Sequence, residues 1–440
     1  MTSIKSYLYL AGVVLLSMSS CNKFMPETAN DDPTTISYPE PSVMLPTAQA
    51  NLAYYYGGDI SRIPSVLTQQ MIGAANQWQA YDNYQFSDPD FGNAWVALYT
   101  TSLQSLNKMR EYAKEKKYTH YQGVADVLSA FTYSVLVDFW GDVPYTEALQ
   151  APTIMQPKFD KGEFIYAELH NVLDNAILLL SEEDEKGVVP GNDDLYFQGD
   201  ISKWIQFAHA IKARLYLHTV HFDATAASKA LTEVQKADGI NVVFRALPPN
   251  YSPAFQFQES RWGDISYLGT TMYNMMEAAG DIRLYQFVDT LEDAIGPMYY
   301  APSAPVYLLS DVELKFMEAE LLARANDPSA EAAYQEAVSL SHVQVLGNAG
   351  NAQVILDQYP YNAAETDLKL RIQPIMIQKY IALFSQPEVF SDWRRTGIPA
   401  ISPTVGNRIP RRFLYPDREK NTNTNTPSNL TVYDKVWWDK

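Results

Sequence analysis

Cysteine is almost missing from this sequence: Cys21 is the one such residue among 440. No disulfide can therefore form within the chain, and a zinc site built on several thiolates is excluded. Histidine is also scarce, with six residues scattered along the chain. His218 and His221 have the i, i+3 spacing of metal ligands but lack an acidic pair on the same face, and the run Glu182–Glu185 suggests a solvated surface, with a calcium site as the alternative. We expect neither a metal site nor a cofactor.

The sequence also contains fewer basic residues than acidic ones. Lys and Arg number 33 against 51 Asp and Glu, which gives a formal net charge of −18. Binding to nucleic acid requires a basic footprint, and adhesion to anionic lipid requires basic clusters, so both functions are excluded. The balance favours an exposed protein that handles neutral or cationic ligands.

The N-terminus carries the one long apolar run of the sequence. No later segment contains the roughly 18 consecutive apolar residues that a helix needs to cross a bilayer. At the N-terminus, Lys5 is followed by the apolar run Tyr7–Met18, and the small residues Ser19 and Ser20 directly precede Cys21. This order is typical of a signal peptide that is cleaved before a lipid-modified cysteine. An ordinary signal peptide with a coincidental cysteine is the alternative.

The sequence therefore divides into three parts. We predict a lipoprotein signal peptide at residues 1–20 and an acylated Cys21 that begins a flexible tether at residues 21–41. The tether prediction rests on a composition rich in Pro, Asp, Glu, Asn and Thr. The remaining residues, 42–440, are predicted to form one large domain, and an apolar content of 47% is enough to bury its core.

Helical periodicity dominates this domain. The predicted helices are Phe91–Glu115, Tyr121–Val137, Phe164–Leu180, Ile201–His221, Ser310–Ala325, Ser329–Leu346 and Asp367–Ser385. Within them, Glu313–Leu346 reads as helix, short turn and helix, and resembles one tetratricopeptide unit of roughly 34 residues. Small residues lie where its two helices would touch, namely Ala319, Ala323, Ala333 and Ala337. We expect a mainly α fold, a tetratricopeptide-like helical-repeat scaffold with a loop-rich ligand-binding lobe.

The predicted lobe consists of four long stretches between the helices, 71–92, 144–157, 241–271 and 296–305. Long loops in a compact domain are usually functional, and these are rich in aromatic residues. Rings beside amides suit the recognition of sugars or peptides, because both stack on aromatic faces and form hydrogen bonds. Three clusters are candidate ligand contacts: Asn76, Gln77, Trp78, Tyr81, Asn83 and Tyr84; then Arg261, Trp262 and Tyr267; then Tyr299 and Tyr300. The alternative is that these rings anchor the loops or contact a protein partner.

Seven strings in the domain, taken in order, resemble the SusD/RagB family of outer-membrane nutrient-binding lipoproteins of the Bacteroidota. They are Asp138–Ala148, Asp194–Leu215, Asp281–Leu284, Ser310–Glu320, Ile377–Leu383, Asp392–Pro399 and Arg408–Pro416. The resemblance covers roughly residues 40 to 440. It implies four tetratricopeptide-like helix pairs, a place on the cell surface, and a role as the extracellular lid of a TonB-dependent, SusC-like barrel transporter. Family ligands include glycans and peptides.

Most residues in these strings have an expected structural role. Trp140 suits core packing better than sugar stacking, Gly141 suits the end of a helix, and Asp200 suits the cap of the next one. Asp392, Arg394 and Arg395 suggest either a catalytic or anion site or a buried ion-pair network that fixes the C-terminal part. We favour the network, and the same judgement applies to Asp281 with Arg283.

The sequence predicts a nutrient-binding lid that does not catalyse a reaction. We expect no catalytic residues, because no nucleophile elbow is present and an acylated Cys21 cannot serve as a nucleophile. Its expected partners are the SusC-like barrel, an oligosaccharide or peptide ligand, and the outer membrane through the lipid anchor. The alternatives are a surface-anchored glycosidase or peptidase and a structural or adhesion protein built on helical repeats.

Overall fold

The computed structural model describes residues 39–439, and the chain divides into two units at Pro39. The body from Glu40 onward is therefore described by itself. The predicted signal peptide and Cys21 lie outside the described residues, as does the tether up to residue 38. The first described helix begins at Pro41, the last residue of the predicted tether.

Helices make up most of this body. The α-helices, numbered along the chain, are α1 Pro41–Tyr56, α2 Asp59–Leu67, α3 Asn76–Asp82, α4 Gly92–Ala97, α5 Gln104–Lys116, α6 Thr119–Trp140, α7 Gly162–Ser181, α8 Ile201–His218, α9 Ala226–Ala237, α10 Pro253–Ser260, α11 Thr271–Ala279, α12 Leu284–Phe287, α13 Asp311–Arg324, α14 Ala330–Leu346, α15 Ala352–Gln358, α16 Leu368–Ala382, α17 Glu388–Thr396 and α18 Asp417–Thr422. The strands are β1 Ile72–Gly73, β2 Val242–Arg245, β3 Ile265–Ser266, β4 Val288–Asp289, β5 Ala294–Ile295 and β6 Pro305–Leu309.

The long helices pack as antiparallel pairs of the tetratricopeptide kind. A π-helical turn, Leu98–Leu103, joins α4 to α5, and this long helix packs against α1. The next pairs are α6 with α7 and α8 with α9, and the last is α13 with α14. Neighbouring pairs also touch, because α7 packs on α8 and α9 packs on α13. The predicted fold class is therefore confirmed.

Small residues allow these helices to approach closely. The four alanines predicted at the α13–α14 contact, Ala319, Ala323, Ala333 and Ala337, are all buried. On α6, a methyl group added at Gly123 would lie 2.7 Å from Cγ of Leu180 on α7, so a side chain there would force the two helices apart. The pairing thus depends on residue size as well as on apolar character.

Local signals set the helix ends. The Asp200 carboxylate accepts a hydrogen bond from the backbone N–H of Lys203 at 3.3 Å, which confirms the predicted cap of α8. α6 ends at Gly141, whose φ of +84° is a left-handed value that favours glycine. Among residues 39–439, α6 is the one helix long and apolar enough to cross a membrane, but 94% of the relevant window is buried in the body. It is the central core helix of the scaffold.

The predicted loop-rich lobe contains short elements that the periodicity did not indicate. The antiparallel pair β1–β3 joins the stretches 71–92 and 241–271, and β2 pairs with β6 at the end of the stretch 296–305, while β4–β5 is a pair formed outside the predicted stretches. Helices α3 and α10 to α12 lie between these strands. The lobe is therefore a set of short helices held by two-residue ladders, which fixes the positions of its aromatic side chains.

Candidate functional site

The first and second sequence clusters meet at one buried carboxylate. Asp264 accepts a hydrogen bond from Nδ2 of Asn76 at 2.5 Å and another from Nε of Arg261 at 2.7 Å. Its backbone carbonyl also accepts from the N–H of Ala74 at 2.9 Å, next to the β1–β3 ladder. Two loops that are far apart in sequence therefore form one rigid unit.

The second and third clusters meet through two exposed rings. The ring centroids of Trp262 and Tyr300 are 6.2 Å apart and the ring planes are 75° from parallel. Trp262 is 51% exposed and Tyr300 37% exposed. Both rings therefore keep surface that a ligand can reach.

Two further aromatic residues extend this surface, and sequence reasoning did not single them out. Phe255 lies 5.4 Å from Tyr300 between ring centroids, and Tyr251 lies 5.6 Å from Phe255. We call Tyr251, Phe255, Trp262 and Tyr300 the aromatic face. The Ser-Pro pair at 252–253 is a helix-start signal that could have indicated that Tyr251 and Phe255 flank the first turn of a helix.

The start of α10 holds the aromatic face together. Oγ of Ser252 caps the helix by accepting from the N–H of Phe255 at 3.2 Å. The N–H of Ser252 donates to the carbonyl of Pro302 at 2.7 Å, which fixes the turn that carries Tyr300 beside α10. The hydroxyl of Tyr300 donates to Glu259, and this bond raises the pKa of Tyr300.

A cleft of about 600 Å³ opens beside the aromatic face. Its lining combines the rings of Tyr251 and Phe255 with the polar side chains of Arg62, Gln256 and Glu259. The Arg62 guanidinium lies 4.3 Å above the centroid of the Phe257 ring, a cation–π contact. The cleft therefore offers ring faces together with hydrogen-bond donors and acceptors, in a volume that accommodates a small ligand.

Five of the predicted ring residues lie in the interior instead. All five are buried, so none presents a ring face to a ligand, and the expectation that they stack on the ligand is wrong. They are Trp78, Tyr81, Tyr84, Tyr267 and Tyr299. Of the remaining residues of the first cluster, Asn76 and Gln77 are exposed and Asn83 is half-buried. The predicted ligand contacts that remain accessible are these three residues together with Arg261, Trp262 and Tyr300.

The buried rings support the aromatic face from below. The Trp78 centroid lies 5.3 Å from that of Tyr81 and 5.2 Å from that of Phe257 on α10, in edge-to-face geometry. The Tyr84 hydroxyl accepts from the N–H of Thr404 at 3.0 Å, and the Tyr299 hydroxyl donates to the carbonyl of Phe384 at 3.0 Å. Burial raises the pKa of Tyr299, as it does that of Tyr267. These rings fix the loops, as the alternative interpretation expected.

The charged residues of the C-terminal strings form buried networks. Arg395 pairs with Glu320, and its Nη2 lies 2.7 Å from Oδ1 of Asp392. Arg394 donates from Nη1 to the carbonyl of Asp138 at 2.7 Å. All of these side chains are buried, which confirms the favoured interpretation of a structural network.

The other residues with an expected structural role are also buried. Arg283 binds Asp281 through Nη2 at 2.5 Å and bonds to Gln378 at 2.7 Å. Trp140 is fully buried in the core, and its Nε1 donates to the carbonyl of Leu414 at 2.9 Å. Within residues 39–439, no group of three His, Cys, Asp or Glu side chains is placed to hold a metal ion.

A scaffold of paired helices that carries an irregular lobe places the chain among the mainly helical proteins of tetratricopeptide-like fold. The chain belongs to the SusD-like family, whose description is "starch-binding associating with outer membrane" and whose model matches residues 33–300 and 291–416. None of the curated proteins matches this chain in sequence.

Solved structures share the fold at low sequence identity. A SusD/RagB family protein of Bacteroides thetaiotaomicron has a TM-score of 0.73 and 22% identity over 91% of this chain and 99% of its own. A SusD homolog of Bacteroides fragilis has a TM-score of 0.74 and 20% identity over 91% and 100%. A chitin-binding SusD homolog of Flavobacterium johnsoniae has a TM-score of 0.73 and 20% identity over 89% and 98%. Because these sequence identities are low, the structural similarity establishes only the fold of this chain.

Proposed function

We propose that this chain is a cell-surface binding protein for an oligosaccharide nutrient, which it holds at the aromatic face. One observation carries the proposal: Tyr251, Phe255, Tyr300 and Trp262 form a continuous row of partly exposed rings, and the first two of them line a cleft together with Arg62, Gln256 and Glu259. Sugar rings present apolar C–H faces that stack on such rings, while their hydroxyls bond to polar groups at the edge. The starch-binding description of the family and the chitin-binding relative support the choice of oligosaccharide over peptide.

The proposal places the protein at the outer membrane, anchored by acylated Cys21. There it acts as the extracellular lid of a SusC-like, TonB-dependent barrel. The outer-membrane association in the family description supports this location. A Cys21→Ala variant should leave the outer-membrane fraction, and the wild-type chain should co-purify with a barrel encoded beside it. Retention of the variant in the membrane would contradict lipid anchoring at this residue.

The chain is proposed to bind its ligand without cleaving it. Two carboxylates beside the exposed rings are both engaged, Glu259 with Tyr300 and Asp264 with Arg261 and Asn76. Glycoside hydrolysis requires one carboxyl group that gives up a proton and another that attacks or activates water, facing each other across the substrate. Incubation with oligosaccharides should therefore give no new products on chromatography, and turnover would favour the glycosidase alternative.

Calorimetry on the full chain tests the ligand site. The protein is held in a detergent without a sugar head group and titrated with maltoheptaose, with chitohexaose and with a mixed peptide digest. We expect one of the two oligosaccharides to bind, and Trp262→Ala to weaken it at least tenfold, about 1.4 kcal/mol of binding free energy. Tyr300→Ala should weaken it as well.

Phe164→Ala is the matched control, because Phe164 is an exposed ring on α7, within the repeat scaffold. This control should leave the affinity unchanged. Binding of peptides alone, or sugar binding that survives both Trp262→Ala and Tyr300→Ala, would contradict the proposed site.

A further inference from the structure

A second polar cleft, of about 620 Å³, lies in the helical scaffold. It opens between α5, α6, α7 and the stretch 145–153, and it shares no lining residue with the cleft beside the aromatic face. Its walls come from regular helical spacing: Asn107 and Arg110 project from α5, and Asp126 and Tyr133 from α6. Most of the cleft wall is therefore built on helices, and the stretch 144–157, one of the four predicted lobe stretches, closes its remaining side.

Asp126 is buried in the wall of this cleft. The residue is 5% exposed, and within residues 39–439 no group donates a hydrogen bond to its carboxylate. The cation paired with it, Nη1 of Arg110, is 3.8 Å away, and Nη2 of Arg110 donates to Oδ1 of Asn107 at 2.9 Å. Burial raises the pKa of Asp126 to about 6, against the opposing effect of Arg110. Because the carboxylate lines the cleft and no protein group occupies its lone pairs, these remain open to a ligand.

Two tyrosine hydroxyls line the same cleft. The rings of Tyr133 and Tyr145 meet edge to face, with centroids 4.8 Å apart. In the part of the chain that the structure describes, neither hydroxyl has a hydrogen-bond partner. Together with Asp126 and Arg110, the cleft thus gathers acceptors, donors and ring edges that the protein itself leaves unused.

We propose that this cleft is a second binding site, which takes one neutral sugar unit or a polyol of similar size. Hydroxyl groups of the ligand donate to Asp126 and accept from Arg110, while Tyr133 and Tyr145 bond to the hydroxyls at the other end. A neutral ligand fits best, because Arg110 already faces the carboxylate and the exposed Glu111 adds negative charge at the edge, which repels an anion. The volume is ample for one sugar ring.

This inference goes beyond the proposed function and does not depend on the aromatic face. Ligand-observed NMR on the full chain tests it, with methyl glucoside as the neutral probe, putrescine as the cationic probe and glucose 6-phosphate as the anionic probe. We expect methyl glucoside to bind saturably with a dissociation constant in the millimolar range. Asp126→Asn should weaken it at least tenfold, and Tyr145→Phe several-fold.

Two controls separate the sites and check folding. Glu163→Gln removes an exposed carboxylate on α7 that does not line the cleft, and it should leave binding unchanged. Trp262→Ala should also leave methyl glucoside binding unchanged, whatever its effect on oligosaccharides. Thermal unfolding of each variant shows that it is folded. Binding of putrescine or glucose 6-phosphate alone, no binding at all, or equal binding by Asp126→Asn and wild type would overturn the inference.

Discussion

At the scale of single residues, burial separates the rings that build the lobe from the rings that can meet a ligand. Trp78 and Trp262 are both tryptophans in the predicted binding stretches, but Trp78 is 1% exposed and Trp262 is 51% exposed. Trp78 packs between Tyr81 and Phe257, while Trp262 touches Tyr300 at its edge. Alanine substitution should therefore mainly reduce the stability of the fold at Trp78 and mainly weaken ligand binding at Trp262.

Alanine substitution of these two residues separates folding from binding. Trp78→Ala should lower the free energy of unfolding by about 3 to 5 kcal/mol, because it leaves a large cavity in the core of the lobe. Trp262→Ala should change it by less than about 1 kcal/mol, because half of that ring is already in water. Denaturant unfolding measures both values. Equal stability losses would mean that Trp262 is a packing residue too.

Burial of the Asp126 carboxylate lowers the free energy of unfolding, and the Asp126→Asn substitution measures this effect. Its pKa rises from 3.8 to about 6 on folding, so the folded protein loses stability relative to the unfolded chain as pH rises from about 4 to 6. Asp126→Asn removes that cost and should raise the free energy of unfolding at pH 7.5 by up to about 3 kcal/mol. The gain should shrink toward pH 4. Denaturant unfolding at the two pH values measures it, and a variant less stable at pH 7.5 would show that the carboxylate has a favourable partner.

At the scale of elements, charged side chains join helices that are distant in the sequence. Nε2 of His218 on α8 lies 2.7 Å from Oε1 of Glu388 on α17, and both are buried. The imidazole also bonds through Nδ1 to the hydroxyl of Tyr166 on α7 at 2.9 Å. Although burial alone lowers the pKa of His218, the Glu388 and Asp138 carboxylates outweigh it and raise the pKa to about 9. The protonated His218 side chain is therefore a buried positive charge that links α7, α8 and α17.

The His218 pair predicts a loss of stability at alkaline pH. Because the folded pKa of about 9 exceeds the reference value of 6.5, the contribution is complete below pH 6.5 and disappears as pH rises through 9. The free energy of unfolding should fall by about 3 kcal/mol over that interval. His218→Gln should flatten the profile. His120→Gln should not, because among residues 39–439 the His120 ring bonds to the backbone carbonyl of Glu182 and pairs with no carboxylate. An unchanged profile in His218→Gln would contradict a charged His218.

Sequence periodicity predicts the long elements well and the short ones poorly. The predicted Tyr121–Val137 and Phe164–Leu180 lie inside α6 and α7, because both helices carry large apolar residues at helical spacing. α1 gave no such signal, since Pro46 interrupts it. α9 was missed because its buried face consists mainly of alanines with the charged Glu233.

The candidate site could be predicted by region and not by residue. The stretches that hold Trp262 and Tyr300 follow from their length and aromatic content. Which rings are exposed depends on distant partners: Trp78 is covered by Phe257, and Tyr299 by Phe384. No local pattern reports contacts of this kind, so composition alone could not distinguish Trp78 from Trp262.

At the scale of the whole molecule, the fold and the choice of ligand depend on different residues. Relatives with about one fifth identical residues keep the helical fold over nine tenths of this chain. A scaffold that is preserved at such identity cannot by itself select a ligand. The proposed selection of a ligand therefore rests on the side chains of the aromatic face and the two clefts, and not on the fold.

The most direct test of the central claim is tryptophan fluorescence during titration of the full chain with maltoheptaose and chitohexaose. Trp262 is the exposed tryptophan of the aromatic face, so stacking of a sugar should change its emission in a saturable way. The account predicts that Trp262→Phe, which keeps a ring, retains oligosaccharide binding in calorimetry but loses the fluorescence change. An emission change that persists in Trp262→Phe, or ligand binding that leaves wild-type emission unaltered, would contradict capture of the ligand at the aromatic face.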